Sequence, residues 1–175
     1  NAGSADFPYQ RIQGAFIDHG CIAPYSISQV DTSLIWLSQD RQGKCIVVKS
    51  EGYSVRQISP HKLEQEFQTF GDVSTAIAYI HQIEGHAFYV LTFPTADRTY
   101  AFDLGTGQWH RRASIDGNGV LHRHRSNCFA YAYGANLVGD YQNGNLYTMT
   151  NQVFTDNGTP IPRIRTFPHL VKDGA

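Results

Sequence analysis

The chain has 175 residues, of which 41% are apolar and 13% aromatic, and its formal net charge is −1. That length fits one domain able to bury about 70% of the surface its unfolded chain exposes, and the near-zero charge argues against a whole-molecule nucleic-acid binder. No apolar run approaches the ~20 residues of a membrane-spanning helix, and three cysteines are too few and too scattered for a disulfide scaffold.

Ten Tyr, ten Phe and sixteen Gly suggest strands and tight turns. Charge is uneven. Residues 1–105 carry 7 Lys+Arg against 11 Asp+Glu, and residues 106–175 carry 7 against 4, so the second half is mildly basic. The thiols of Cys21, Cys45 and Cys128 are expected to be reduced, in keeping with synthesis in a cytosol. No signal peptide is evident at the start. A chain beginning at Asn1 is expected to be a processed or excised piece.

Residues 1–15 and 171–175 are expected to be extended or flexible. "GAFIDHGCIAPYSISQV" predicts a strand, a turn and a second short strand. "SLIWLSQD", the turn "RQGK" and "CIVVKS" form a hairpin, and "GYSVRQIS" adds a strand. One short helix is predicted near 60–70. Ser59 caps it, Pro60 sits in its first turn, Leu63, Phe67 and Phe70 make one apolar face, and Gly71 stops it. Hairpins then resume with "TAIAYIHQ", "IEGH" and "AFYVLTF". "RTYAFDLGTGQWHRRAS" follows, and then "SNCFAYAYGANLVGDYQNGNLYTMT", which turns at Asn143-Gly144.

Gly43, Gly85 and Gly144 each open a strand after a polar turn, at spacings of 42 and 59. The first spacing matches one propeller blade of roughly 40–50 residues. The second requires an insertion, for which "SIDGNGVLHRHR" is the candidate loop. The fold class is therefore all-β, with antiparallel hairpin repeats, β-propeller-like, and a fragment of about three blades. Three blades do not close a ring. A β-sandwich is the alternative. A propeller places Trp109 and the Tyr-rich strands between blades, and a sandwich places them between two sheets.

The chemistry-bearing residues point mostly to structure. His122, His124 and Cys128 offer zinc ligands, since His-x-His on a strand shares one face. A structural site needs a fourth ligand, and the usual paired spacing is missing. Cys128 could be a nucleophile beside a base, but it opens the strand "CFAYAY" and reads better as a buried small hydrophobe. Asp103, Asp140 and Asp156 lie at turns, where Asp bonds local backbone. A glycosidase would need two carboxylates across a cleft. "DLGTGQ" and "DYQNGN" are not phosphate loops. The chain thus reads as no enzyme, with no metal or cofactor. In the basic stretch from His110 to Arg125, Arg111, Arg112, Arg123 and Arg125 are candidate interface or DNA-facing residues.

Several phrases, taken in order, resemble one family. They are "DFPYQRIQGAFIDHGCIAPYS", "GYSVRQISPHKLEQ", "AYIHQIEGHAFYVLTFPTADRTYAFDLGTGQWHRR", "HRSNC", "VGDYQNGNLY" and "FTDNGTPIPRIRTFPHL". The family is the packaged-DNA stabilisation proteins of short-tailed bacteriophages, also called head-completion or tail-hub proteins. The resemblance runs from about Asp6 to Leu170. It implies that the whole chain is a single β-rich segment of a larger propeller-like phage protein, active in the virion tail and made in the bacterial host cytoplasm, from an active phage or a prophage remnant. It implies a structural protein that completes the portal and tail below the head and helps retain packaged DNA. The implied partners are further copies in a hexameric ring, portal-adaptor and other tail proteins, and the tail needle, with at most a weak non-specific DNA contact and no membrane. It supplies no catalytic motif, and Trp109, His124 to Cys128 and Gly139-Asp140 are its fold determinants. The alternative function is a propeller module that binds a glycan or protein ligand.

Overall fold

A computed structural model describes residue 14 and residues 16–163. A short 3-10 helix at Pro24–Ser26 leads into a first sheet of β1 (Ser28–Val30), β2 (Ser33–Gln39), β3 (Cys45–Glu51) and β4 (Ser54–Gln57). A helix, α1 (His61–Phe67), follows. The second sheet comprises β5 (Ile77–Ile83), β6 (His86–Phe93), β7 (Arg98–Asp103), β8 (Gln108–Ile115) and β9 (Leu121–Arg123). The third comprises β10 (Ser126–Ala132), β11 (Ala135–Asp140) and β12 (Leu146–Thr148). A small ribbon pairs β13 (Thr155–Asp156) with β14 (Thr159–Pro160). Strands in each sheet follow chain order, every pair is antiparallel, and so each sheet is a meander.

The three larger sheets begin at Ser28, Ile77 and Ser126, two equal steps of 49 residues. That is a blade-length repeat, and it differs from the one marked by the three glycines. Each sheet opens with a two-residue turn whose first residue has positive φ: Asp31, Glu84 and Tyr133. Gly85 lies in this first turn, beside Glu84. Gly43 and Gly144 lie in the second turn, where the equivalent residue of the middle sheet is Asp97 at φ +55°. The middle repeat is thus disguised, because aspartate occupies a left-handed position that glycine fills in the other two.

The middle sheet is buried on both faces. Alternation along β6 and β7 sends Tyr89, Leu91, Phe93, Tyr100 and Phe102 to one side. There they join Ile35, Leu37 and Val47 of the first sheet and Phe67 of α1 in one core. The opposite side carries Tyr79 and His81, and Tyr79 stacks on Phe129 of the third sheet at 5.4 Å between ring centroids. A two-sheet sandwich has no sheet covered on both faces by other sheets, whereas a run of blades does. Trp109 lies between blades as a propeller requires. Its indole Nε1 on β8 donates to the carbonyl of Ile58, just beyond β4, at 2.8 Å. Tyr89 sends its hydroxyl to the carbonyl of Ser26 at 2.8 Å. A buried indole or phenol needs such an acceptor.

Three local expectations are corrected. Among the described residues of "GAFIDHGCIAPYSISQV" only the second strand forms. The described residues before it run through the 3-10 helix, and Trp36 Nε1 donates to the carbonyl of Gly20. The helix spans seven residues, with Pro60 at its N-cap and no side-chain cap. Ser59 is drawn elsewhere: its hydroxyl accepts from the Val47 N–H at 3.0 Å and donates to the buried Glu64 carboxylate at 2.7 Å. Gln57 also donates to Glu64. The loop expected in "SIDGNGVLHRHR" is instead a tight hairpin. Asp116 accepts the N–H groups of Asn118 and Val120, and β9 pairs with β8 as a fifth strand. The expected extended ends fall almost wholly outside the described residues.

Candidate functional site between the second and third sheets

The basic stretch runs along β8, through β9 and into β10, so it borders the seam between the second and third sheets. Its four arginines have different fates. Arg111 is exposed. Arg112, one residue on, points to the other face of the strand. There its Nη1 donates to His81 Nε2 at 2.9 Å, its Nε lies 3.3 Å from His110 Nε2, and its guanidinium carbon sits 4.9 Å from the Phe88 ring centroid. Arg123 lies over the Tyr141 ring at 3.7 Å. Arg125 donates to the carboxylate of Asp140 at 2.6 Å, with side chains 17% and 0% exposed, and Asp156 approaches its Nε at 3.8 Å.

A guanidinium only donates, so His81 must accept at Nε2 and carry its proton on Nδ1. That Nδ1 is buried without a partner. Burial, followed by the field of Arg112, pushes the His81 imidazole down to about 3. Burial and then Arg112 push His124 down to about 4, and the same two causes lower His110. Near neutral pH these rings carry no charge. His124 takes the Ser126 N–H on Nδ1 at 3.3 Å and has the Ser126 hydroxyl 2.6 Å from the same atom. The Tyr79 hydroxyl then donates to Ser126 Oγ at 2.6 Å. This polar chain joins β5 of the second sheet to β10 of the third.

Two cavities open beside this seam. One of about 460 Å³ lies between β10, β11 and the β13–β14 ribbon, bordered by His124, Arg125, Asp140 and Asp156. The other, about 340 Å³, is bordered by Arg111, Arg112, His81 and His124. Asp140 and Asp156 both reach the first cavity. The Asp140 oxygens, however, are taken by Arg125 and by the Gln142 N–H, as befits a turn aspartate rather than a free acid or base. Asp103 likewise accepts from the N–H of Gly105 and from Thr106 and His86.

The three zinc candidates diverge. His122 Nδ1 meets Asp97 at 2.8 Å and its Nε2 lies 3.6 Å from Asp116, while His124 turns to Ser126. Among the described residues no group of three or more His, Cys, Asp or Glu is placed to hold a metal. Cys128 corrects the expectation of a buried thiol, because it is exposed. β10 starts with an irregularity between Ser126 and Cys128, so the inward alternation read from "CFAYAY" is shifted. Cys45 is the buried thiol, pushed up to about 12 by burial and then by Glu64.

Arg125 therefore ties together three separate phrases of the sequence: "HRSNC", "VGDYQNGNLY" and "FTDNG". Sequence reasoning named Arg125, Asp140 and Asp156 but not their contact, and it missed Tyr79 and His81 altogether. A family model described as "Bacteriophage P22 Gp10, beta-propeller" matches residues 1–154. The chain belongs to this phage stabilisation family. It is accordingly a structural bacteriophage protein of the virion, with a β-propeller fold, and its family is not an enzyme class. No curated protein matches the chain. Within the family reading, the Tyr79–Ser126 contact and the Trp109 bridge are elements that hold blade to blade, while the Arg125 junction ties the third sheet to the β13–β14 ribbon.

Proposed function

We propose that this chain is part of a virion protein that completes the portal and tail assembly below the phage head and helps retain packaged DNA. The observation that carries the reading is the family match over residues 1–154. The placement of the arginines refines it. Arg112, Arg123 and Arg125 are engaged on His81, Tyr141 and Asp140, so they do not form the open basic stripe that tracks a phosphate backbone. Retention of DNA is then chiefly steric, with a weak, non-specific contact at most.

Assembly with further copies in a ring, with portal-adaptor proteins and with the tail needle is the role of the outer surfaces. Tyr131, Tyr133 and Leu146 on and beside the third sheet, with Val153 and Phe154 beyond it, are exposed large apolar side chains. Such side chains suit an interface core.

Two measurements test this. Heads assembled without the full-length protein should package DNA and then lose it; normal retention would overturn the role. Duplex binding by the 175-residue chain should be weak at low and physiological salt. Tight, steeply salt-dependent binding would overturn steric retention.

A further inference from the structure

Arg112 is partly buried, and its pKa is lowered by burial. Its polar partners are two imidazoles, His81 and His110, both held neutral. Among the described residues no carboxylate lies within ion-pair distance of Arg112 or Arg111. A cation withdrawn from water without a counter-charge is destabilising. Elsewhere this chain avoids that cost: the comparably sheltered Arg125 has Asp140. The uncompensated charge faces a cavity of about 340 Å³ that Arg111 also borders, and the wall is completed by Met149 and Ile161. The His81 side chain also borders this cavity.

We infer that this cavity is an anion pocket that receives the carboxylate of an acidic side chain from a partner protein. The fork of a guanidinium matches a carboxylate in geometry and charge. The apolar part of the wall suits the aliphatic stem of a glutamate. A duplex phosphate is the poorer fit. Duplex DNA presents phosphates on a broad convex surface and is held by many exposed cations, whereas here a single half-covered guanidinium sits in a recess, with one exposed arginine at its edge. The inference stands on the pocket and does not depend on the role proposed for the virion.

The test is a titration of the 175-residue chain with an acetylated, amidated triglutamate peptide, followed by nitrogen-15 NMR. Triglutamine and a short DNA duplex serve as comparators. The expected result is a saturable shift of the Arg112 Nε–H signal with triglutamate, absent with triglutamine. Affinity should fall by about tenfold or more in Arg112→Gln, as for loss of a charge-assisted pair. Arg111→Gln keeps the experiment decisive if Arg112→Gln does not fold, and it should weaken binding by about threefold through lost screened attraction. No saturable shift at Arg112 would overturn the inference. So would undiminished binding in folded Arg112→Gln, or in Arg111→Gln if that variant alone folds. Preferential binding of the duplex at the same signals would also overturn it.

Discussion

Arg125 and Asp140 form an ion pair of 2.6 Å in which the carboxylate side chain has no exposure to solvent. The pair links the entry of β10 to the turn after β11. The same turn is fixed by the Gln142 N–H on Asp140 and by the Tyr141 N–H on the carbonyl of Arg125. Removing Arg125 leaves the Asp140 carboxylate buried without its counter-charge, and removing Asp140 leaves Arg125 only the more distant Asp156. Arg125→Met should therefore cost about 3 kcal/mol, and Asp140→Asn a similar amount. The double variant should cost less than the sum, and urea unfolding of all four proteins measures the coupling. Additive losses would show that the pair contributes nothing as a pair.

Trp109→Phe retains most of the apolar contact with Phe102 but loses the hydrogen bond to the Ile58 carbonyl. The carbonyl is left in a partly covered seam between the first and second sheets. A loss of about 1–2 kcal/mol is expected, read from denaturant midpoints at unchanged m-value.

Acid should loosen the seam between the second and third sheets. His81 and His124 have folded pKa values of about 3 and about 4, below the ordinary 6.5. Between pH 6.5 and those values the unfolded chain binds more protons, so their stabilising contribution is full above pH 6.5 and is lost as pH falls. His122, raised by its hydrogen bond to Asp97, acts in the opposite sense. Its contribution is present below the ordinary value and is lost as pH rises through its raised folded value. With His110 also lowered, three lowered groups outweigh one raised group, so stability should fall between about pH 6.5 and pH 4. His81→Gln and His124→Asn, which keep an acceptor near Nε2 and Nδ1 respectively, should flatten that limb. An unchanged slope in both would show that these rings do not govern it.

Thiol chemistry separates the three cysteines. Cys21 and Cys128 are exposed and Cys45 is buried with a raised pKa. An aromatic disulfide reagent should label two thiols in the native chain and the third only on unfolding. Cys128→Ala should barely change stability, since the thiol is not in the core. Gly139, its cross-strand partner, is more demanding: an added Cβ there would lie 2.7 Å from Cys128 Sγ. Gly139→Ala should destabilise the third sheet and Cys128→Ala should restore much of the loss, as melting temperatures would show.

Hairpin content was legible in the sequence because turn chemistry and strand alternation are local. "RQGK", "IEGH" and Asn143-Gly144 all became turns. The helix was found through Leu63, Phe67 and Phe70, which do pack on the core. Its cap was not, because Ser59 has a long-range alternative in Val47 and Glu64 that no local pattern reveals. The repeat was seen but mis-phased, since Asp97 stands where glycine was sought. At the seam, the arginines were visible as a basic run. Their partners were not, because His81, Asp140 and Tyr141 lie elsewhere in the chain, and side-chain pairing between separate segments leaves no mark on sequence spacing. Cys128 misled because a strand irregularity at Ser126 breaks the two-residue period.

The double burial of the middle sheet also sets an order of opening. Strands β6 and β7 have neighbours in the plane on each side and layers above and below, so their amides can exchange hydrogen with solvent only when the whole segment opens. The third sheet has three strands, and β12 within it is short and bears the exposed Leu146. Its amides should exchange through smaller, independent openings. The segment thus has a slow centre and a fast flank, and the fast flank carries the exposed apolar side chains that another body would cover.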